Sequence, residues 1–72
     1  MPLVQVKVIK GVFSEAQKKA MVEKLTDAMV SIEGESMRQV TWVTIKDDKS
    51  GQWGIGGKAL TTEAVKALAA GK

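Results

Sequence analysis

Pro2, directly after Met1, has the most distinctive chemistry in this sequence. Removal of Met1 would expose its ring nitrogen as a secondary amine with a free lone pair. Such an amine is ordinarily protonated near neutral pH. A dry surrounding or a neighbouring cation lowers its pKa toward neutrality and turns it into a general base. Val4, Val6 and Val8 follow closely and supply apolar surroundings. With Met1 in place the nitrogen is an amide and has no basicity.

The other catalytic groups are scarce. The chain has no histidine and no cysteine, which excludes a Ser-His-Asp arrangement, a thiol nucleophile, a disulfide framework and the usual zinc site. Asp47 and Asp48 are adjacent, so on a strand they would point to opposite faces; a solvated turn from Asp47 to Gly51 is expected instead. The run Gly54-Ile55-Gly56-Gly57 invites comparison with phosphate loops. Gln52 stands where that motif needs its first glycine, and Ala59 follows Gly57-Lys58 where it needs serine or threonine. The dinucleotide fingerprint fails as well, with Leu60 at its sixth position. The run reads as a tight turn or hairpin. No metal site and no cofactor are implied.

The elements that must carry these residues are few. Leu3 to Ile9 reads as a strand, with Val4, Val6 and Val8 on one face and Leu3, Gln5, Lys7 and Ile9 on the other. Ser14 opens a helix through a capping box with Gln17. Met21, Leu25, Ala28, Met29 and Ile32 form its apolar stripe, while Lys18, Lys19, Glu23, Lys24 and Asp27 largely take the opposite side. Gly34 is placed to end the helix in a left-handed cap. Val40 to Ile45 is the second strand, with Val43 and Ile45 on one face and Trp42, Thr44 and Lys46 on the other. Strand, helix and strand form a β-α-β unit with parallel strands and a right-handed crossover. Thr61 to Ala70 has helical composition, with Glu63 in its first turn. The helix methionines, Met21 and Met29, form no ligand box and serve as core filler.

Residues 1–72 are expected to form a single domain with too little core to stand alone. A chain of this size buries only about 60% of the surface its unfolded form exposes. Disulfides and metals have no residues here, so self-association is the stabilisation that remains. Two strands and one helix also leave strand edges and a sheet face to pair with other subunits. The net charge of +3 arises from 11 basic and 8 acidic residues with interspersed signs. It forms no basic stripe, and Phe13, Trp42 and Trp53, the only aromatics, lie in no lysine cluster, so no nucleic-acid partner is expected. The positive balance suits a small carboxylate as well as simple surface solvation. No signal-peptide pattern is present, and no apolar run approaches the roughly 18 residues that span a bilayer. The expectation is a cytoplasmic protein with no membrane partner.

Taken together, Pro2 opening a short strand, Gly11 after it, Ser14-Glu15-Ala16-Gln17 starting a long helix, a second strand and Trp53-Gly54-Ile55-Gly56-Gly57 resemble the 4-oxalocrotonate tautomerase family. The likeness runs in order from Met1 to about Leu60. It implies an α+β fold: a single β-α-β unit with a short C-terminal hairpin or helix, dimerising into a four-stranded sheet covered by two helices. Three such dimers would form a homo-hexamer, and a hetero-hexamer of two chain types is the alternative. The implied chemistry needs no cofactor. An N-terminal proline takes a proton from the carbon beside a carbonyl and returns it elsewhere on the conjugated system. By this resemblance Pro2 is the catalytic base and acid, Trp53 the aromatic wall that keeps the amine dry, and Ile9 a pocket residue.

The departures from the family pattern concern charge. Its best-known members carry one arginine after the glycine that ends the first strand and another early in the second strand. Val12 and Trp42 occupy those positions here. Charge-assisted hydrogen bonds worth roughly 1.5–3 kcal/mol each are thereby absent. Arg38, the one arginine of the chain, is the candidate substitute, with Lys10 and Lys46 behind it, and Trp42 becomes a candidate substrate contact. The expected function is a tautomerase, an isomerase active once Met1 is removed, moving a proton or double bond on a small carbonyl acid. The alternatives are a non-catalytic or partner-dependent subunit of a hetero-oligomer and a related hydratase, dehalogenase or decarboxylase.

Overall fold

A computed structural model describes residues 1–71. Strands β1 (Leu3–Ile9) and β2 (Trp42–Asp48) run parallel in continuous register, from Leu3 opposite Trp42 to Ile9 opposite Asp48. Backbone bonds close both ends of this ladder: Trp42 N–H donates to the Pro2 carbonyl at 3.0 Å, and Lys10 N–H to the Asp48 carbonyl at 2.8 Å. Helix α1 (Glu15–Glu33) joins the strands. Its capping box is complete, since Ser14 Oγ accepts from Gln17 N–H at 3.1 Å and Gln17 Oε1 accepts from Ser14 N–H at 2.8 Å. After a 3₁₀ segment (Glu35–Val40) and β2 comes an antiparallel hairpin of β3 (Trp53–Ile55) and β4 (Lys58–Leu60), then helix α2 (Thr62–Ala69). Hairpin and tail helix are thus both present.

Gly56 and Gly57 turn the hairpin at φ values of +58° and +84°. A two-residue hairpin turn with positive φ at both positions suits glycine, which has no Cβ to clash. Gly11, at φ +89°, has a second constraint: a Cβ there would lie 3.1 Å from Thr62 Cγ2.

Three sequence expectations are corrected. The second strand starts later and ends later than Val40–Ile45. Val40 belongs to the 3₁₀ segment, while Asp47 and Asp48 continue the strand instead of turning. Tertiary partners override their turn preference: the Lys18 ammonium lies 2.9 Å from Asp47 Oδ1, and the Asp48 carbonyl accepts from Lys10. Gly34 ends α1 with positive φ, as expected, but at φ 103° and ψ 152°. That is an extended conformation reserved for glycine rather than a left-handed turn, and it leads the chain straight into the 3₁₀ segment.

The stripe of α1 is also rolled relative to the sheet. Val30 is its buried residue, Met21, Leu25 and Met29 are half-buried, and Ala28 and Ile32 are exposed, Ile32 by 84%. Lys18 and Glu33 take inner positions because each has a polar partner across the fold, Asp47 and Thr41 respectively. Val6, Phe13, Ala20, Met21 and Leu25, with Gln17 and Lys24, line a groove of about 410 Å³ between α1 and β1.

The core is small. Val8, Ile9 and Val30 are the buried hydrophobic residues among those described. The radius of gyration is 14.8 Å, with extents of 42 × 23 × 18 Å. A compact chain of this length would measure about 11 Å. Among the described residues no helix is long and apolar enough to cross a membrane.

Candidate active site

The parallel pairing sorts the candidate residues to opposite ends of the sheet. At one end Pro2 immediately precedes β1 and is half-buried, with its carbonyl fixed by Trp42 N–H. Beside it stand Leu3 and Trp42, opposite one another in the register and 52% and 55% exposed. At the other end Ile9 is 6% exposed, and Trp53 opens the hairpin in a half-buried position. Seven residues of strand at about 3.3 Å each place these ends about 20 Å apart. Within one chain, Pro2 and Trp53 do not share a pocket.

Arg38 lies at the Pro2 end, in the 3₁₀ segment, where its guanidinium is already engaged. Nε and Nη2 reach the two Glu35 carboxylate oxygens at 2.8 and 3.2 Å, and Nη1 reaches Asp27 Oδ1 at 2.8 Å. This fork holds the Glu35 carboxyl below its ordinary pKa and raises that of Arg38, through Glu35 first and Asp27 second. Lys10 and Lys46 are exposed; Lys46 faces Lys7 across the strands, and Lys10 lies beyond the far end of β1. Among the described residues no three carboxylates gather as a metal cage would need.

Sequence reasoning missed a polar contact at the Pro2 end. Thr41 Oγ1 lies 2.8 Å from Glu33 Oε2 and 2.8 Å from the Met37 carbonyl. Glu33 ends the helix and Thr41 precedes β2, and the only sequence signal is a carboxylate where the inner arc of the helix should be apolar. Lys18 is a second omission. Its side chain is 17% exposed and bridges α1 to Asp47, which raises its pKa above the ordinary lysine value.

A β-α-β unit followed by a hairpin and a short helix is the fold of known tautomerases, and sequence likeness accompanies it. The sequence model of the tautomerase enzyme family matches residues 2–63. A 2-hydroxymuconate tautomerase of Pseudomonas putida is 42% identical over 57 residues, covering 79% of this chain and 87% of that protein. Among solved structures, a 4-oxalocrotonate tautomerase isozyme study from Methylibium petroleiphilum gives a TM-score of 0.72 at 36% identity, over 89% of this chain and 97% of that one. TomN, a 4-oxalocrotonate tautomerase homologue of the tomaymycin biosynthetic pathway, gives 0.74 over 99% and 100% of the two chains; at 22% identity that likeness is one of fold. The chain belongs to the tautomerase family, within its 4-oxalocrotonate tautomerase group.

Proposed function

We propose that this chain is a tautomerase whose Pro2, freed by removal of Met1, acts as general base and then general acid on a small carbonyl acid. The Pro2 nitrogen takes a proton from the carbon beside the carbonyl, and the C–H electrons move into an enolate. The prolyl ammonium then returns the proton at another position of the conjugated system; when an enol is ketonised, the nitrogen instead takes the enol O–H proton and returns it at carbon. The observation that carries this reading is the placement of Pro2 at the head of β1, half-buried and held through its carbonyl by Trp42. A partner chain that covers the exposed Leu3 and Trp42 dries the freed amine and so disfavours its charged form.

Two copies complete such a site. The large exposed apolar residues of the sheet ends are Met1, Leu3 and Trp42 at one end and Ile55 and Leu68 toward the other. The β1 edge away from β2 and the groove beside it offer a second chain a strand partner and an apolar seat. Antiparallel pairing there, forming a four-stranded sheet, sets the Trp53 hairpin of one copy near Pro2 of the other. A trimer of such dimers is the expected assembly, with the whole chain serving as one tautomerase-like domain in the cytoplasm.

The substrate is less charged than a dicarboxylate. Val12 and Trp42 offer no guanidinium, and Arg38 is neutralised by Glu35 and Asp27. Trp42, with Trp53 of the partner subunit, gives the pocket apolar walls. The enolate is stabilised by backbone N–H groups or by cations from a neighbouring chain.

The test is ketonisation of phenylenolpyruvate by Met-cleaved protein, verified by intact mass, beside Pro2→Ala. Loss of activity in the variant supports the proline base; equal rates in both proteins remove it. The engaged Arg38 favours a second reading, a partner-dependent subunit of a mixed oligomer. Native purification that recovers this chain alone counts against that reading.

A further inference from the structure

The start of β2 is held by a polar network that proton transfer as written above does not use. Thr41 Oγ1 meets Glu33 Oε2 and the Met37 carbonyl, each at 2.8 Å, and both side chains are half-buried. A hydroxyl has one proton to donate, so two acceptors share it and hold the oxygen between them. That atom joins the last residue of α1, the 3₁₀ segment and the residue before β2. The next backbone N–H along the chain, that of Trp42, donates to the Pro2 carbonyl at 3.0 Å.

We propose that Glu33 and Thr41 are positioning residues for the Pro2 amine, a role that rests on the proline-base reading and deepens it. Once Met1 is gone, Pro2 is a chain terminus, and termini fray unless they are tied down. Its carbonyl is tied by Trp42 N–H. Fixing that peptide plane limits rotation about the Cα–C bond and so sets where the ring nitrogen points. The Trp42 amide is itself held in place by the clamp on Thr41. A base misplaced by about 1 Å can lose about 100-fold in rate, so a clamp that reaches the reacting atom through the Trp42–Pro2 hydrogen bond acts on turnover more than on binding.

The experiment compares Met-cleaved wild type with Thr41→Val, Thr41→Ser, Glu33→Ala and Pro2→Ala, on phenylenolpyruvate and by amide hydrogen exchange. Thr41→Val is expected to lower kcat about tenfold with KM within about twofold, and to speed exchange of the Trp42 N–H by about tenfold or more. Thr41→Ser restores both. Glu33→Ala, which keeps the Thr41–Met37 contact, shows the same changes at about threefold and stands in should Thr41→Val not fold. Wild-type kcat in a folded Thr41→Val or Glu33→Ala protein overturns the proposal, as does a fall in rate with unchanged Trp42 exchange. If Pro2→Ala turns over like wild type, the base reading falls and the positioning role falls with it. Turnover that needs Pro2 but ignores Thr41 removes the positioning role alone.

Discussion

The two ends of the parallel strand pair are secured by different means. At the Pro2 end side chains brace the main-chain Trp42–Pro2 bond through the Glu33–Thr41–Met37 contacts and the Arg38 fork on Glu35 and Asp27. At the hairpin end it is held by turns and short ties. Gly51, Gly56 and Gly57 take positive φ, Gly51 N–H donates to the Leu60 carbonyl at 3.0 Å, and Thr62 bonds to Ser50 and Lys10. A side-chain network fixes direction, as a reactive group requires. Glycine turns set only where the Trp53 hairpin is placed and leave its face to be shaped by whatever packs on it.

Substitutions can break or sharpen that contrast. The largest effect belongs to the Pro2 end: Pro2→Ala should lower the ketonisation rate by about 10²–10⁴-fold, the usual contribution of a positioned general base, read from steady-state kinetics. Next comes Trp42→Arg, which restores a guanidinium at the head of β2. It should raise turnover of a dicarboxylate relative to a monocarboxylate by about 10- to 100-fold, the worth of one charge-assisted hydrogen bond. A ratio that does not move would place the substrate carboxylate elsewhere. At the hairpin end Gly57→Val, forced to positive φ, should cost about 1–2 kcal/mol in stability, seen in denaturant unfolding.

The smallest effect is one of pH. Arg38 lowers the Glu35 pKa, so the stability this pair contributes is present above the ordinary carboxylate pKa and is lost as pH falls through the lowered value. Arg38→Ala should therefore lessen the acid-side decline in Tm. The Lys18 pKa is raised chiefly by its hydrogen bond to Asp47, so its contribution is present below the ordinary lysine value and fades as pH rises through the raised one. Lys18→Met should correspondingly flatten the alkaline limb. Exposed pairs like that of Arg38 contribute little, and both changes should be small.

What the sequence disclosed was local. The Ser14–Gln17 box spans three residues, the valines of β1 alternate within a single strand, and Gly56-Gly57 specify their own turn, so each could be read without knowing the rest. Asp47 looked like a turn residue because its partner, Lys18, lies 29 positions away. Ile32 looked like core because periodicity gives the apolar face of a helix but not how the helix rolls on a sheet. At the candidate site, Pro2 came forward as a candidate from its position and Trp53 from family likeness. The engagement of Arg38 was hidden, since it depends on Asp27 coming near across the bend at Gly34. The Glu33–Thr41 contact has no periodic signature at all.

The bond from the Thr62 hydroxyl to the Lys10 carbonyl closes a ring of chain 52 positions long. Because the ladder already holds Lys10 beside Asp48, the hydroxyl closes in effect only the stretch from Asp48 to Thr62. Drawing together a flexible segment of about 14 residues costs about 2.3 kcal/mol in configurational entropy. A single hydroxyl, helped by Thr62 N–H on Ser50 and by the hydrogen-only space at Gly11, sits at the seam. A seam of that kind is where a sub-global opening starts. Parting it frees the hairpin and α2 together while the β1–β2 ladder stays paired, so Trp53 would come away from the protein before Pro2 loses its footing.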